Sequence, residues 1–207
     1  MVMAGDVRLC FFGDSLVNGT SDEAYLGWPG RLSTQLRAAG LELTTYNLGI
    51  RRDTSRDIAA RWRHEAARRL PDRCDGRLVF SFGVNDCVEE AGVRRVAAAE
   101  SLAHAERIFS AAASWKPTLV IGPPAMSWAG QGAINERIHA LSEGQRALCA
   151  TMRIPFLDLV TPLAAAAEWP GEIVAGDGVH PGRAGYDRIA ALIMSWSGWR
   201  GWLLPGR

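Results

Sequence analysis

Short apolar runs alternating with helix-length segments constrain this chain more than any other feature. Residues 7–12, 41–48, 77–82, 118–121 and 155–157 are brief, β-prone and nearly continuous in apolar character, with turn residues on their flanks. Strands buried on both faces of a sheet read this way, because neither face meets water. Between them the pattern predicts helices near 30–39, 55–70, 94–115 and 134–152, and a last one near 184–196. Ser55 is the expected N-cap of the second helix and Pro71 its stop. Strands alternating with helices of this length predict an α/β fold with an open parallel sheet of about five strands covered on both faces, a three-layer α/β/α sandwich. The 207 residues suffice for one such domain, 1–207, and show no repeat, low-complexity tract or linker.

Composition narrows the partners. The 23 Lys and Arg residues nearly balance the 22 Asp and Glu, leaving a net charge of +1. That balance argues against a nucleic-acid or membrane-surface binder, which needs a field of one sign. No stretch reaches the roughly 18 consecutive apolar residues that span a bilayer. Cys10, Cys74, Cys87 and Cys149 lack the paired spacing of a zinc site or a disulfide framework and read as reduced, packed thiols. No signal-peptide pattern is visible at the N-terminus, so the expected compartment is the cytoplasm.

Open α/β sheets bind ligands at the C-terminal ends of their strands. Those positions hold Gly13-Asp14-Ser15, then 47–54 with Arg51-Arg52-Asp53-Thr54, then Gly83-Val84-Asn85-Asp86, and the Gly122-Pro123-Pro124 loop. Asp177-Gly178-Val179-His180-Pro181 follows just before the last helix. Each is common turn chemistry on its own. With the first strand between the second and third, the loops carrying Ser15, Arg52 and Asn85 become neighbours. A nucleophile needs a base within hydrogen-bond reach, and the base needs a third group to hold its tautomer. Asp177 and His180, three residues apart, supply both from one loop, and Pro181 restricts the backbone of His180. His64, His104 and His139 fall inside helical patterns and read as ordinary helix residues. Asp14 and Asp86 read as turn-fixing acids that accept backbone N–H groups.

Together these blocks make the chain resemble the SGNH hydrolases, also called the GDSL esterase/lipase family. Gly13-Asp14-Ser15-Leu16, Gly83-Val84-Asn85-Asp86 and Asp177-Gly178-Val179-His180 match its blocks in order, and the resemblance covers 7–186. It implies a flavodoxin-like sheet, a Ser15–His180–Asp177 triad, and no metal or organic cofactor. It also implies an oxyanion hole built from the Ser15 backbone N–H, the Asn85 amide and a backbone N–H of the second block. That block departs from the family: the usual Ser-Gly-Asp-Thr is Arg51-Arg52-Asp53-Thr54 here, with Arg52 at the glycine position. A backbone donor needs no particular side chain, so Arg52 remains the third donor if its φ/ψ suits an L-residue. Its guanidinium has two readings: a clamp for a substrate carboxylate or phosphate at the cleft rim, or a partner of Asp53 or another local acid.

The implied activity is hydrolysis of carboxylic esters or thioesters of small or short-chain acyl groups through an acyl-enzyme, with a small-molecule ester as partner. The alternatives are an O-deacetylase or acyltransferase acting on a carbohydrate or secondary metabolite, and a non-catalytic flavodoxin-like binding domain. Against the last stands the absence of a phosphate-cradling glycine loop after the first strand. No Gly-x-Ser-x-Gly elbow of an α/β-hydrolase occurs. Trp28 and Trp128 are candidates to line the pocket, with an apolar loop anchor as the competing reading. Trp196, Trp199 and Trp202 read either as an interface patch or as packing for the last helix. The arginine cluster of 55–70 reads as a solvated face with local ion pairs.

Overall fold

The computed structural model describes residues 6–126 and 132–204. In chain order its elements are β1 (Val7–Gly13), α1 (Ser15–Asn18), α2 (Gly27–Ala38), β2 (Leu43–Gly49), α3 (Ser55–Arg69), β3 (Asp75–Ser81) and α4 (Val84–Cys87). A small hairpin of β4 (Glu89–Glu90) and β5 (Val93–Arg94) comes next, then α5 (Ala98–Ala113), β6 (Thr118–Ile121), α6 (Gly132–Met152) and β7 (Phe156–Leu157). The chain closes with α7 (Val160–Ala164), α8 (Glu168–Ala175), α9 (Arg183–Ser195) and α10 (Ser197–Leu203). The main sheet is five-stranded and parallel in the order β2-β1-β3-β6-β7.

Alternation along each strand divides the core into two layers, as the two-residue period of a strand requires. Leu9, Phe11, Val79, Leu119 and Ile121 face α2, α7, α8, α9 and α10. Cys10, Phe12, Leu78, Phe80 and Val120 face α3, α5 and α6. Phe80 anchors the second layer: it stacks on Phe12 with ring centroids 5.5 Å apart and meets the edge of Trp62 at 5.6 Å. The architecture is the expected three-layer α/β sandwich.

Two local expectations are corrected, and one of two open readings is chosen. The N-cap of α3 is Thr54, not Ser55: Thr54 and Asp57 form a capping box, and the Thr54 N–H donates to the Asp57 carboxylate at 2.9 Å. Ser55 instead gives its N–H to Asp86 at 2.8 Å. The third expected helix, α5, begins at Ala98 rather than 94, because Arg94 pairs with Glu89 in the hairpin. Trp199 is buried in the first core layer, with Trp196 and Trp202 packed against it, so the C-terminal tryptophans fasten α10 to the domain.

Glycine sets the level at which the site is built. In register, Gly13 at the end of β1 pairs with Gly49 on one side and Ser81 on the other. A Cβ on Gly49 would sit 2.2 Å from the Asn18 nitrogen and 2.7 Å from the Asp14 carbonyl oxygen. Only glycine lets α1 lie across the end of β2, and that contact places Ser15 between the loops that follow β2 and β3. No helix of the described residues is long and apolar enough to cross a membrane.

Candidate active site

Ser15 opens α1, directly after the N-cap Asp14, whose carboxylate accepts the Leu16 N–H at 2.9 Å. Gly19, at φ 88°, ends this four-residue helix and turns the chain away. The turn between α8 and α9 brings in the base. His180 Nε2 lies 2.7 Å from Ser15 Oγ, and His180 Nδ1 lies 2.7 Å from Asp177 Oδ2. Asp177 Oδ1 accepts the N–H groups of Val179 and His180 at 2.9 and 2.8 Å, which fixes the loop and the imidazole together. Burial alone would raise the Asp177 carboxyl, but the His180 ring and the two N–H donors outweigh it and hold it down at about 2. Asp177 therefore stays anionic across the neutral range and favours the imidazole tautomer protonated at Nδ1. In that tautomer Nε2 accepts the Ser15 hydroxyl proton. Ser15 and His180 are both buried.

The second and third loops converge on the same place. Asn85 in α4 donates through Nδ2 to the Asp53 carbonyl at 2.9 Å, leaving its other amide hydrogen for another acceptor. The Arg61 guanidinium binds the Asp53 carboxylate at 2.6 Å and the carbonyls of Leu48 and Gly13 at 2.9 and 3.1 Å. One half-buried arginine thus ties the ends of β1 and β2 to the turn that carries Arg52. Asp86 accepts the Ser55 N–H and the Ser101 hydroxyl and joins α4 to α3 and α5. Among the described residues, the backbone N–H groups of Ser15 and Arg52 have no hydrogen-bond partner.

A relay of acid, imidazole and buried hydroxyl at the C-terminal edge of a parallel sheet suits acyl transfer. The model of the GDSL-like lipase/acylhydrolase family matches residues 11–188. The chain belongs to this family. Among solved structures, a lipase/acylhydrolase from Enterococcus faecalis is 26% identical, with a TM-score of 0.72 over 90% of this chain and 92% of that one. An acetylxylan esterase from Geobacillus stearothermophilus superposes with a TM-score of 0.74 at 19% identity, over 92% and 95% of the two chains. An alpha/beta hydrolase enzyme from the metagenome of Lake Arreo, Spain, gives 0.76 at 20% identity, over 93% and 95%. A comparison with curated proteins finds no match. The protein is an esterase-type hydrolase.

Within this acylhydrolase, the departure at Arg52 has a conformational consequence. The Asp53 N–H bonds the Ile50 carbonyl at 3.2 Å, closing a turn with Arg52 at its third position and φ 69°. That left-handed conformation suits glycine and strains an L-residue. The Arg52 side chain is 71% exposed and pairs with Glu90 at 2.6 Å, so the acid it meets is Glu90, while Asp53 is taken by Arg61. Arg95 adds a hydrogen bond to the Arg52 carbonyl at 2.8 Å. The positioning roles of Arg61 and Arg95 carry no local signal, because they depend on the carbonyls of Gly13, Leu48 and Arg52, which the fold alone brings near.

The other expected residues are placed as follows. Trp28 is 1% exposed and meets Phe11 edge-on at 5.4 Å, packed in the core layer beneath α2. Trp128 lies outside the described residues. Of the α3 arginines, Arg56 pairs with Glu100, and Arg63 lies 3.6 Å over the Trp115 ring. A cavity of about 310 Å³ between α4, α5 and α6 is bordered by Cys87, Ser101, Leu102, Arg137 and Leu141, with Ser15 and His180 outside its walls.

Two predictions come from this geometry. The left-handed turn makes Arg52→Gly more stable than Arg52→Ala by about 1 kcal/mol, since both lose the exposed Glu90 pair and only glycine relieves the strain. Urea denaturation of the two variants measures this, and equal stabilities would contradict a strained turn. The second concerns Asp14, which is 2% exposed, with Oδ2 unpartnered among the described residues. Burial pushes its carboxyl up to about 7 despite the Leu16 hydrogen bond. A carboxyl that keeps its proton in the fold stabilises it fully below the unfolded value of about 3.9, and that contribution is lost as pH rises through the folded value. Asp14→Asn keeps the acceptor and has no charge to bury. Its stability gains on the parent by up to about 1.4 kcal/mol per pH unit from about pH 4 to about pH 7, then levels off. A pH-independent difference would show that the Asp14 carboxyl titrates normally.

Proposed function

We propose that Ser15, His180 and Asp177 act as nucleophile, base and orienting acid in the hydrolysis of esters of small acyl groups. The supporting observation is the unbroken chain Asp177–His180–Ser15, with both contacts at 2.7 Å. Ser15 Oγ attacks the carbonyl carbon while His180 Nε2 takes its proton. His180 then gives that proton to the leaving oxygen, and the alcohol departs. Water attacks the acyl-Ser15 ester, again losing a proton to His180, which returns it to Ser15 Oγ as the carboxylic acid leaves. The Ser15 and Arg52 N–H groups and the free hydrogen of the Asn85 amide are the donors proposed for the oxyanion. Asp53 positions that amide, and Arg61 holds Asp53.

The short elements around Ser15 favour a small acyl group. α1 and α4 have four residues each, and the turn after β2 runs only from Ile50 to Thr54 before α3 begins. An acetyl-ester substrate is further favoured by the likeness to the Geobacillus stearothermophilus acetylxylan esterase. This supports an O-deacetylase as the more specific reading within the same chemistry.

Hydrolysis of p-nitrophenyl esters from acetate to palmitate tests the proposal. Turnover is expected to peak at acetate and fall steadily with chain length. Ser15→Ala is expected to remove about 10³-fold or more of the activity, and Asn85→Ala about 10²–10³-fold of kcat. A maximum at long chains would overturn the acyl-size assignment, and an active Ser15→Ala would overturn the nucleophile.

A further inference from the structure

The loop between α1 and α2 is built more firmly than a connection requires. Its centre is the buried Asp22 carboxylate, which accepts the N–H groups of Ala24, Leu26 and Gly27 at 3.2, 2.9 and 2.7 Å and pairs with the buried Arg31. Burial would raise this carboxyl, but Arg31 and the three backbone donors bring it down to about 2. Arg31 also reaches Asp187 and the Arg183 carbonyl in α9, and Tyr186 donates to the Thr20 carbonyl at 2.7 Å. The clamp fixes Ser21 at φ 67° and Tyr25 at φ 56°, conformations that L-residues avoid. Strain of this kind persists only where surrounding structure enforces it, and it clusters at functional sites.

The enforced conformation leaves Tyr25 93% exposed, in the same loop in which Ser21 touches the catalytic side. Ser21 Oγ lies 3.5 Å from Asp177 Oδ2, the oxygen that holds the His180 ring. Tyr25 borders a cavity of about 410 Å³ together with Asn18, Thr20, Ser21, Glu23 and Arg51; Ser15 and His180 lie outside its lining, and Ser21 is its link to Asp177. Arg51 is exposed and makes no ion pair among the described residues, whereas its neighbour Arg52 is bound to Glu90. The leaving oxygen of an ester must face His180, so the alcohol half lies toward the His180 side of Ser15, and Ser21 meets the Asp177 that holds that imidazole.

We infer that this cavity is the subsite for the alcohol half of the substrate, and that it takes a polyhydroxylated ring such as a pyranoside. The inference rests on the esterase reading above. The ring's C–H face lies on the exposed Tyr25 ring, which presents an apolar body and a polar tip. Its hydroxyls meet the Arg51 guanidinium, the Glu23 carboxylate and the Asn18–Thr20 edge. An aliphatic alcohol would need apolar walls, and Tyr25 is the one large apolar group in this lining. A phosphorylated alcohol would need an excess of positive charge, but the lining offers the Glu23 carboxylate beside the single Arg51 guanidinium.

The test compares an acetylated methyl pyranoside with ethyl acetate, two acetyl esters that differ only in the alcohol. The parent protein is expected to prefer the pyranoside ester. Tyr25→Ala lowers the ratio of the two kcat/KM values by about 10-fold, mainly through KM, Arg51→Ala lowers it to a smaller extent, and Tyr25→Phe keeps it. Equal losses on both esters, or an unchanged ratio in Tyr25→Ala, would overturn the subsite. Ligand-observed NMR of the unacetylated methyl pyranoside with Ser15→Ala protein decides the binding separately from catalysis. Binding that Tyr25→Ala abolishes supports the subsite, and no binding overturns it. If no ester is cleaved, the esterase reading fails by itself while this binding result still stands.

Discussion

Everything at the functional edge depends on three strands ending at one level. Gly13 stands in register between Gly49 and Ser81, and the chain leaves the sheet at all three within a residue or two. Because Gly49 has no side chain, α1 can pack against the end of β2, with the Asn18 N–H bonded to the Asp14 carbonyl at 3.0 Å. The Ser15 hydroxyl, the turn with Arg52 and the Asn85 amide therefore share one small space. Lengthen any one of these strands by a residue and its side chains change faces, so the register is also what keeps the two core layers apolar.

Ion pairs and hydrogen-bonded carboxylates shielded from water then turn this coincidence of loops into a fixed geometry. Arg61 spans the Asp53 carboxylate and two strand-end carbonyls, and Asp53 in turn receives the Asn85 amide. Arg31 and Asp22 do the same for the loop after α1, while the buried Asp86 joins α3, α4 and α5 through hydrogen bonds from the Ser55 N–H and the Ser101 hydroxyl. A buried charge left without its partner is costly, so each pair enforces one arrangement of its loop. Near-neutral total charge thus conceals a specific use of arginine: Arg31 and Arg61 serve as multi-donor clamps on carbonyls and carboxylates.

Much of the fold was legible because its signals are local. Thr118–Ile121 is a strand with the expected limits, and α3, α6 and α9 lie within two residues of expectation at each end. The Ser15, Asn85, Asp177 and His180 blocks stood out because turn residues at strand ends confine where a polar side chain can go. What escaped depends on distant partners. The run 94–97 looks helical, yet Arg94 pairs with Glu89 across a hairpin of two-residue strands that carry no periodicity. Ser55 and Thr54 are both good caps, and Asp57 and Asp86 decide between them. Trp28 follows a loop and reads equally as pocket lining or as an apolar anchor, and α2, beginning at Gly27, buries it as the anchor. The strain at Arg52 was announced by the missing glycine, but its Glu90 partner lies 38 residues further on and gave no local sign. Tyr25 gave none either, because its exposure is enforced by Asp22 and Arg31 acting across the loop.

The central claim is that the Asp177–His180 pair makes Ser15 a nucleophile. Reaction with a fluorophosphonate, followed by peptide mass mapping, tests it without choosing a substrate. The expected result is one adduct per chain, on Ser15, absent in Ser15→Ala and formed at least 10²-fold more slowly in His180→Ala. An adduct on another residue, or equal labelling rates with and without His180, would contradict it.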